Sequence, residues 1–354
     1  MNRVELERIL QKLPELTIVV FGDFFLDRYF VIESSLAERS IETGLIAHQV
    51  VAKRLTPGAA GTVVSNLKAL GVGEVICIGA VGADGEGYEL KAALDRIGAI
   101  HEGWLVESEE LFTPCYSKPM LRENGREREL ERIDIKNRSL MPASVQDEIL
   151  SLLRKAIPRA QGVIIADQVQ ERDFGVVTDR AREELAQLAD LYREKAFCAD
   201  SRLRIAEFRR VITKPNMYEA VNAIRGSARV DSAGGSIEDF TLADAKACAA
   251  ELRKLTERTV FMTAQEEGIY VFDDDVVHVP AVRVEGEIDP VGAGDSCTAG
   301  IVSALCAGAT KEDAALLGNI VASITVQKLG QTGTATPAEV LARFEENQDA
   351  HRGR

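Results

Sequence analysis

A chain of 354 residues, 46% hydrophobic and 28% charged, suits one large α/β domain with a small appendage better than two equal domains. Its net charge of −14 repels nucleic-acid phosphates, so no nucleic-acid partner is expected, and no run of about 18 apolar residues occurs that would span a membrane. Six scattered cysteines (Cys77, Cys115, Cys198, Cys248, Cys297 and Cys306) show neither a CxxC pair nor metal-ligand spacing, and read as reduced thiols of a cytoplasmic protein.

The charged, amphipathic start, Met1 to Arg8, is not a signal peptide and predicts a capping helix over 2–12. Thr17–Phe21 reads as a short buried strand ending at Gly22-Asp23, whereas 29–55 contains alternating stretches such as Leu45–Val50 that suit exposed antiparallel strands. Pro57-Gly58-Ala59-Ala60-Gly61 opens a helix to about Leu70 with Gly71 as its C-cap. Glu74–Ala80 is a strand, and 85–97 a helix ending at Gly98. Residues 115–122 and 128–135 are expected as two strands around the turn signal Glu123-Asn124-Gly125. With the earlier alternating segment they would form a small sheet, a lid built from about 31–56 and 113–135.

The α/β rhythm then resumes: a strand at 162–166, a helix at 173–194, and strands at 196–199 and 210–213. Polar residues Asp167, Asp200 and Lys214 follow these strands, at the sheet edge where open α/β folds bind ligands. Residues 226–236 are glycine- and serine-rich and predict a surface loop, and 260–263 with 268–272 a strand and its hairpin partner. The fold class is therefore α/β: one domain over 1–354, a doubly wound, mostly parallel sheet with helices on both faces and a small β-sheet lid.

The strongest chemical signal is Asp289-Pro290-Val291-Gly292-Ala293-Gly294-Asp295-Ser296, followed by a helix of small residues. Gly292 and Gly294 let the backbone approach a ligand closely, and the helix N-terminus offers unpaired N–H groups and its positive dipole end. Together these make an anion hole for a transferring phosphoryl group, with Asp295 placed to take the proton of an attacking alcohol. The same residues also suit a plain glycine turn with Asp295 capping a helix. Asn216 and Glu219 likewise suit either a metal-phosphate site or a Pro-Asn helix start.

The motif, late in a chain of this length, resembles the D-T-x-G-A-G-D signature of the PfkB, or ribokinase-like, carbohydrate kinases, with Pro290 in place of the usual Thr. That resemblance implies an ATP-dependent phosphotransferase acting on a sugar hydroxyl, with Asp295 and the Gly292-Ala293-Gly294 backbone as the catalytic group. Asn216-Met217-Tyr218-Glu219 is similar to the family's N-x-x-E motif, implying Mg²⁺ held indirectly by Asn216 and Glu219. Thr263, Gly268 and Asn319 fall in segments that resemble the nucleotide-binding strand and the adenine-flanking helix. Asp289 marks the place of a monovalent cation, K⁺, in that pattern.

Gly22-Asp23-Phe24-Phe25-Leu26-Asp27-Arg28-Tyr29 looks like the opening of the heptose-phosphate kinase branch, the kinase half of bifunctional ADP-heptose synthesis proteins. Asp27, Gly58, Thr62, Asp167 and Arg132 are then the expected sugar-binding residues. The glycine-rich segment from Pro57 matches that branch in register, but its second glycine is Ala59 and its sugar-binding Asn is Thr62; Gly61 offers compensating flexibility. With no second, nucleotidyltransferase-type domain after Pro337, a kinase-only version is expected. Open lid edges imply a homodimer. Kinases for a hexose, ketose phosphate or nucleoside, and a catalytically weak sugar- or nucleotide-binding regulator, remain alternatives. A dehydrogenase does not, because no GxGxxG follows the first strand.

Overall fold

A computed structural model describes residues 1–123, 125–226, 240–330 and 332–352. The loop expected over 226–236 therefore lies, from residue 227 onward, outside the described residues, as do Asn124 and Gln331.

In chain order, α1 (Arg3–Lys12), capped by the Asn2 side chain, leads to β1 (Thr17–Gly22) and β2 (Phe24–Glu33). The short β3 (Glu38–Arg39) and β4 (Ile46–Ala47) pair with each other, then β5 (Val50–Ala59) runs into α2 (Ala60–Ala69). Next come β6 (Glu74–Gly82), α3 (Gly85–Arg96), β7 (Leu105–Ser108), β8 (Cys115–Glu123), β9 (Arg126–Glu129) and β10 (Ile133–Ile135). They are followed by α4 (Ala143–Ala156), β11 (Gly162–Asp167), α5 (Asp179–Leu191), β12 (Ala196–Ser201), β13 (Ile212–Thr213), α6 (Met217–Arg225) and α7 (Leu242–Thr256). The chain closes with β14 (Val260–Thr263), β15 (Ile269–Phe272), β16 (Val276–Val279), α8 (Ala293–Cys306), α9 (Lys311–Thr325) and α10 (Pro337–Arg352).

The main sheet has the order β16-β15-β14-β13-β12-β11-β1-β6-β7; β14 through β7 run parallel, and only β15 and β16 are antiparallel. Both faces are covered, and strand alternation shows how. On β1, Ile18 and Val20 enter the core packed by α1, α2, α8 and α9, while Val19 and Phe21 enter the core packed by α4, α5 and α7. Helices α2 and α3 end as expected at glycines: Gly71 and Gly98 have positive φ and, with the next residue, return N–H bonds into the last turn, the Schellman pattern.

The lid sheet has the order β10-β8-β2-β5, with β9 on the far part of β8. It starts earlier than the expected 31: β2 leaves the main sheet at Phe24, one residue after Asp23. The expected helix start at Pro57 is also displaced, because Pro57, Gly58 and Ala59 pair with β2 as the end of β5. Similarly, the helix expected over 173–194 is shortened to 179–191. The buried Asp23 carboxylate accepts the N–H groups of Gln168, Val169 and Val176, folding that stretch into a turn, and Thr178 caps α5.

At the β5–α2 junction Ala59 adopts φ 53°, ψ −118°, a conformation that glycine takes without strain. Gly61 does not supply that freedom. Its role is spatial, since a Cβ there would lie 2.3 Å from Pro57 Cβ and push α2 off the strand. Ala59→Gly relieves backbone strain of about 1–3 kcal/mol and incurs about 0.5–1 kcal/mol of glycine entropy. The variant should gain about 1 kcal/mol in urea denaturation, and Ala59→Val should lose stability.

Candidate active site

The loop 289–292 and α8 form the floor of a cleft at the carboxyl edge of the main sheet. Gly292 is the N-cap, with φ 78°, a left-handed turn that favours glycine. Pro290 and Gly292 accept the N–H groups of Ala293 and Ser296, closing the turn, whereas the N–H groups of Gly292, Gly294 and Asp295 take no acceptor from the described chain. The anion hole is thus narrower than expected: the Ala293 amide belongs to the turn, and the Asp295 amide joins the two glycines. Asp295 occupies the third position of α8, and its carboxyl is pushed up to about 7, first by burial and then by the charge of Asp200, with Asp27 adding and Lys214 and Arg202 opposing. Asp27, on the lid strand β2, and Asp200, on β12, thus lie close enough for their charges to act on it.

Lys214 follows β13 and is fully buried. Its Nζ lies 3.1 Å from Asp200 Oδ2, and a Cβ on Gly294 would lie 3.6 Å from the same nitrogen, so the ammonium borders the anion hole. Burial lowers its pKa, but Asp200, Cys297 and Glu219 outweigh that and hold the amine protonated. Thr298 on α8 completes the cluster, donating to Asp200 Oδ2 at 3.2 Å. Lys214, Asp200 and Thr298 were not among the expected site residues. Polar groups at strand ends marked two of them, but their pairing across β12, β13 and α8 has no local pattern.

Asn216 and Glu219 open α6 as a reciprocal capping box: Asn216 Oδ1 accepts the Glu219 N–H, and Glu219 Oε2 accepts the Asn216 N–H, both at 2.8 Å. Glu219 is raised above the ordinary glutamate range by burial and by Asp200, with Lys214 opposing. Its Oε1 takes no part in the capping box. Among the described residues no three His, Cys, Asp or Glu side chains group as a metal centre.

On the opposite wall, Asp27 contacts Lys118 at 3.4 Å, and Lys118 also donates to the Tyr29 hydroxyl at 3.2 Å. Gly58 is where Asp27 needs it, because a Cβ would lie 2.5 Å from Asp27 Oδ2. Thr62, buried at the start of α2, reaches the loop before α8: a Cβ on Gly292 would meet its Cγ2 at 3.4 Å. Arg132 clasps Asp134 through both oxygens, stacks over Tyr116, and lowers the Asp27 pKa against the dominant effect of burial.

Three expected residues are engaged elsewhere. Asp167 is buried in an internal pair, accepting from Ser201 Oγ at 2.6 Å and Arg204 Nη2 at 3.0 Å. Asn319 donates both amide hydrogens to Val279 and Pro280 carbonyls, and thereby pins the chain after β16. Asp289 accepts the Val291 and Gly330 N–H groups, one on each oxygen, clasping the loop before α8 to the loop before α10. Thr263 ends β14 beside Asn216, and Gly268 turns into β15 with φ 96°. Gly318, the neighbour of Asn319 on α9, serves helix packing, with a Cβ on Gly300 of α8 falling 3.0 Å from its Cα.

Residues 211–339, which contain α6, β14 to β16, α8 and the glycine loop before it, match the pfkB family carbohydrate kinase profile. The bifunctional protein HldE of Geotalea uraniireducens (strain Rf4) is 28% identical over 348 residues, covering 97% of this chain and 66% of that protein. HldE of Hyphomonas neptunium (strain ATCC 15444) is 29% identical, covering 95% and 65%. The chain thus spans just under two thirds of the length of these relatives. Among solved structures, Arabidopsis thaliana ribokinase complexed with ribose and ATP superposes with TM-score 0.65 at 16% identity, covering 93% of this chain and 99% of that one. Escherichia coli phosphofructokinase-2 in complex with potassium gives 0.66 at 15%, covering 94% and 99%. The likeness to these solved structures shows a ribokinase-like α/β fold, and over residues 211–339 the chain is similar to the pfkB family carbohydrate kinases.

Proposed function

We propose that this domain transfers the γ-phosphoryl group of ATP to a sugar or sugar-phosphate hydroxyl, with a heptose 7-phosphate as the first acceptor to test. The observation that carries the reading is the raised Asp295 carboxyl beside three unpaired amides and a buried lysine, with Asp27 across the cleft. Asp27, with Gly58, Thr62 and Arg132 around it, orients the sugar hydroxyls. The acceptor oxygen attacks the γ-phosphorus, its proton passes to Asp295, and the bond to the β-phosphate bridging oxygen breaks to release ADP. The amides of Gly292, Gly294 and Asp295, the α8 dipole and the Lys214 ammonium stabilise the charge on the transferring oxygens.

Glu219, through Oε1, and Asn216 would hold Mg²⁺ by way of water, where it neutralises phosphate charge. Thr263 and Gly268 lie along the nucleotide's path, and Asn319 supports it indirectly by fixing 279–280. The lid covers the acceptor and keeps out competing water. No step in this reading passes through a monovalent cation. We place the protein in the cytoplasm, where its six free cysteines stay reduced. No helix among the described residues is long and apolar enough to cross a membrane. We read the assembly as a homodimer through the lid, because β5 leaves an open edge and Ile41, Leu45, Ile46, Val50 and Val51 stand exposed beside it.

Asp295→Asn should cut turnover by about 10³-fold or more with ATP affinity unchanged. A raised base is protonated and inactive below its pKa, so kcat/KM should climb as pH rises through about 7. Normal turnover in the variant would remove Asp295 from the mechanism. ADP release across a panel of heptose, hexose, ketose phosphates and nucleosides identifies the acceptor, and no release with any of them would favour a binding regulator. Lys214→Met should move the pH limb further alkaline, by leaving Asp200 unopposed beside Asp295, and cost about 3–5 kcal/mol of stability in denaturant titration. Sedimentation should show a dimer for the wild type and a monomer for the Ile46→Asp/Val51→Asp double variant; a monomeric wild type would refute the lid interface.

A further inference from the structure

A cavity of about 430 Å³ lies at the opposite edge of the main sheet from Asp295. It opens where β12 and β13 begin (Ala196, Ile212) and just before β14 (Thr259), and it reaches Leu305 in the last turn of α8 and Lys311 in the first turn of α9. Helix α8 has 14 residues, so the cavity sits about 20 Å from the anion hole. Six basic and four acidic side chains line it, a local excess of positive charge in a chain of net −14.

The pairing within this cavity is incomplete. Asp273 is taken by Lys311 and by Thr259 Oγ1, and Arg210 pairs with Asp190 at 2.6 Å. Glu194 and Asp274 are exposed at the rim. Arg193 pairs with Asp190 at 2.5 Å and Lys195 donates to the Ala160 carbonyl at 2.5 Å, which leaves the guanidinium groups of Arg253 and Arg258. Arg253, at the end of α7, has a buried Nε with no hydrogen-bond partner, and its nearest carboxylate oxygen, on Asp273, is 3.7 Å from Nη2, beyond hydrogen-bond reach. Arg258 is half-buried and makes no side-chain hydrogen bond or ion pair among the described residues. The buried Arg253 Nε–H without an acceptor is costly, its pair with Asp273 is long, and planar forks of N–H groups match the oxygens of a phosphate in pairs. A dianion would balance both charges at once, and the volume admits a small molecule around the phosphate.

We propose that this cavity is a second ligand site, separate from the cleft at α8, that binds a phosphate-bearing small molecule through Arg253 and Arg258. Pyrophosphate is the probe, titrated calorimetrically into the full chain with the cleft saturated by a nonhydrolysable ATP analogue. Binding should persist under saturation and weaken about ten-fold or more in Arg258→Ala and in Arg253→Gln, as expected for loss of a charge-assisted hydrogen-bond pair. The Arg258 side chain holds no hydrogen-bond or ion-pair partner among the described residues, so its variant should keep the wild-type circular dichroism and analogue affinity, which separates a lost site from a lost fold. Adenosine monophosphate and ribose 5-phosphate, titrated in the same way, tell a nucleotide site from a sugar-phosphate site. Complete displacement of pyrophosphate by the analogue, or undiminished binding in Arg258→Ala, would overturn the proposal.

Discussion

The arrangement depends on one buried ion pair, Lys214 with Asp200. Burying a carboxylate is costly unless a cation stands beside it, and here three carboxyl groups, Asp200, Glu219 and Asp295, share one recess. The Lys214 ammonium keeps Asp200 paired and, with Arg202, limits how far the other two are raised. It also faces the anion hole, so the same charge that permits the acidic cluster can receive the oxygens of a phosphate. Stability and chemistry in this cleft are therefore coupled through one side chain contributed by the short strand β13.

The main sheet was legible because its strands are short, apolar and punctuated by glycine, and because parallel strands buried on both faces leave continuous apolar runs such as Val163-Ile164-Ile165. The glycine loop and Asp295 were legible because they are contiguous. What local pattern could not show is long-range: Asp23 organises the turn at 168–176 from about 150 positions away, and this is what shortens α5. Asp167 carries the same strand-end signature as Asp200, yet faces Arg204 where Asp200 faces the cleft. Periodicity places a polar residue at a strand end but cannot say which neighbour will claim it.

The departures from the family pattern also acquire separate physical meanings. Ala59 keeps the glycine backbone conformation and bears the strain. Thr62 keeps its methyl group beside Gly292, with a hydroxyl where the family has an amide. Pro290 leaves the turn intact, since its carbonyl still accepts the Ala293 N–H and it is Val291 that bonds to Asp289. None of the three disturbs the unpaired amides at the start of α8. In the proposed reading, the substitutions would thus bear on acceptor recognition and local stability more than on phosphoryl transfer.

A crystal structure with magnesium, a nonhydrolysable ATP analogue and a bound sugar phosphate tests the central claim most directly. The account predicts the γ-phosphate on the Gly292, Gly294 and Asp295 amides within reach of Lys214, the metal on the Glu219 side, and a sugar hydroxyl between Asp295 and Asp27. A terminal phosphate bound away from α8, or an acceptor hydroxyl that no geometry brings to Asp295, would contradict it.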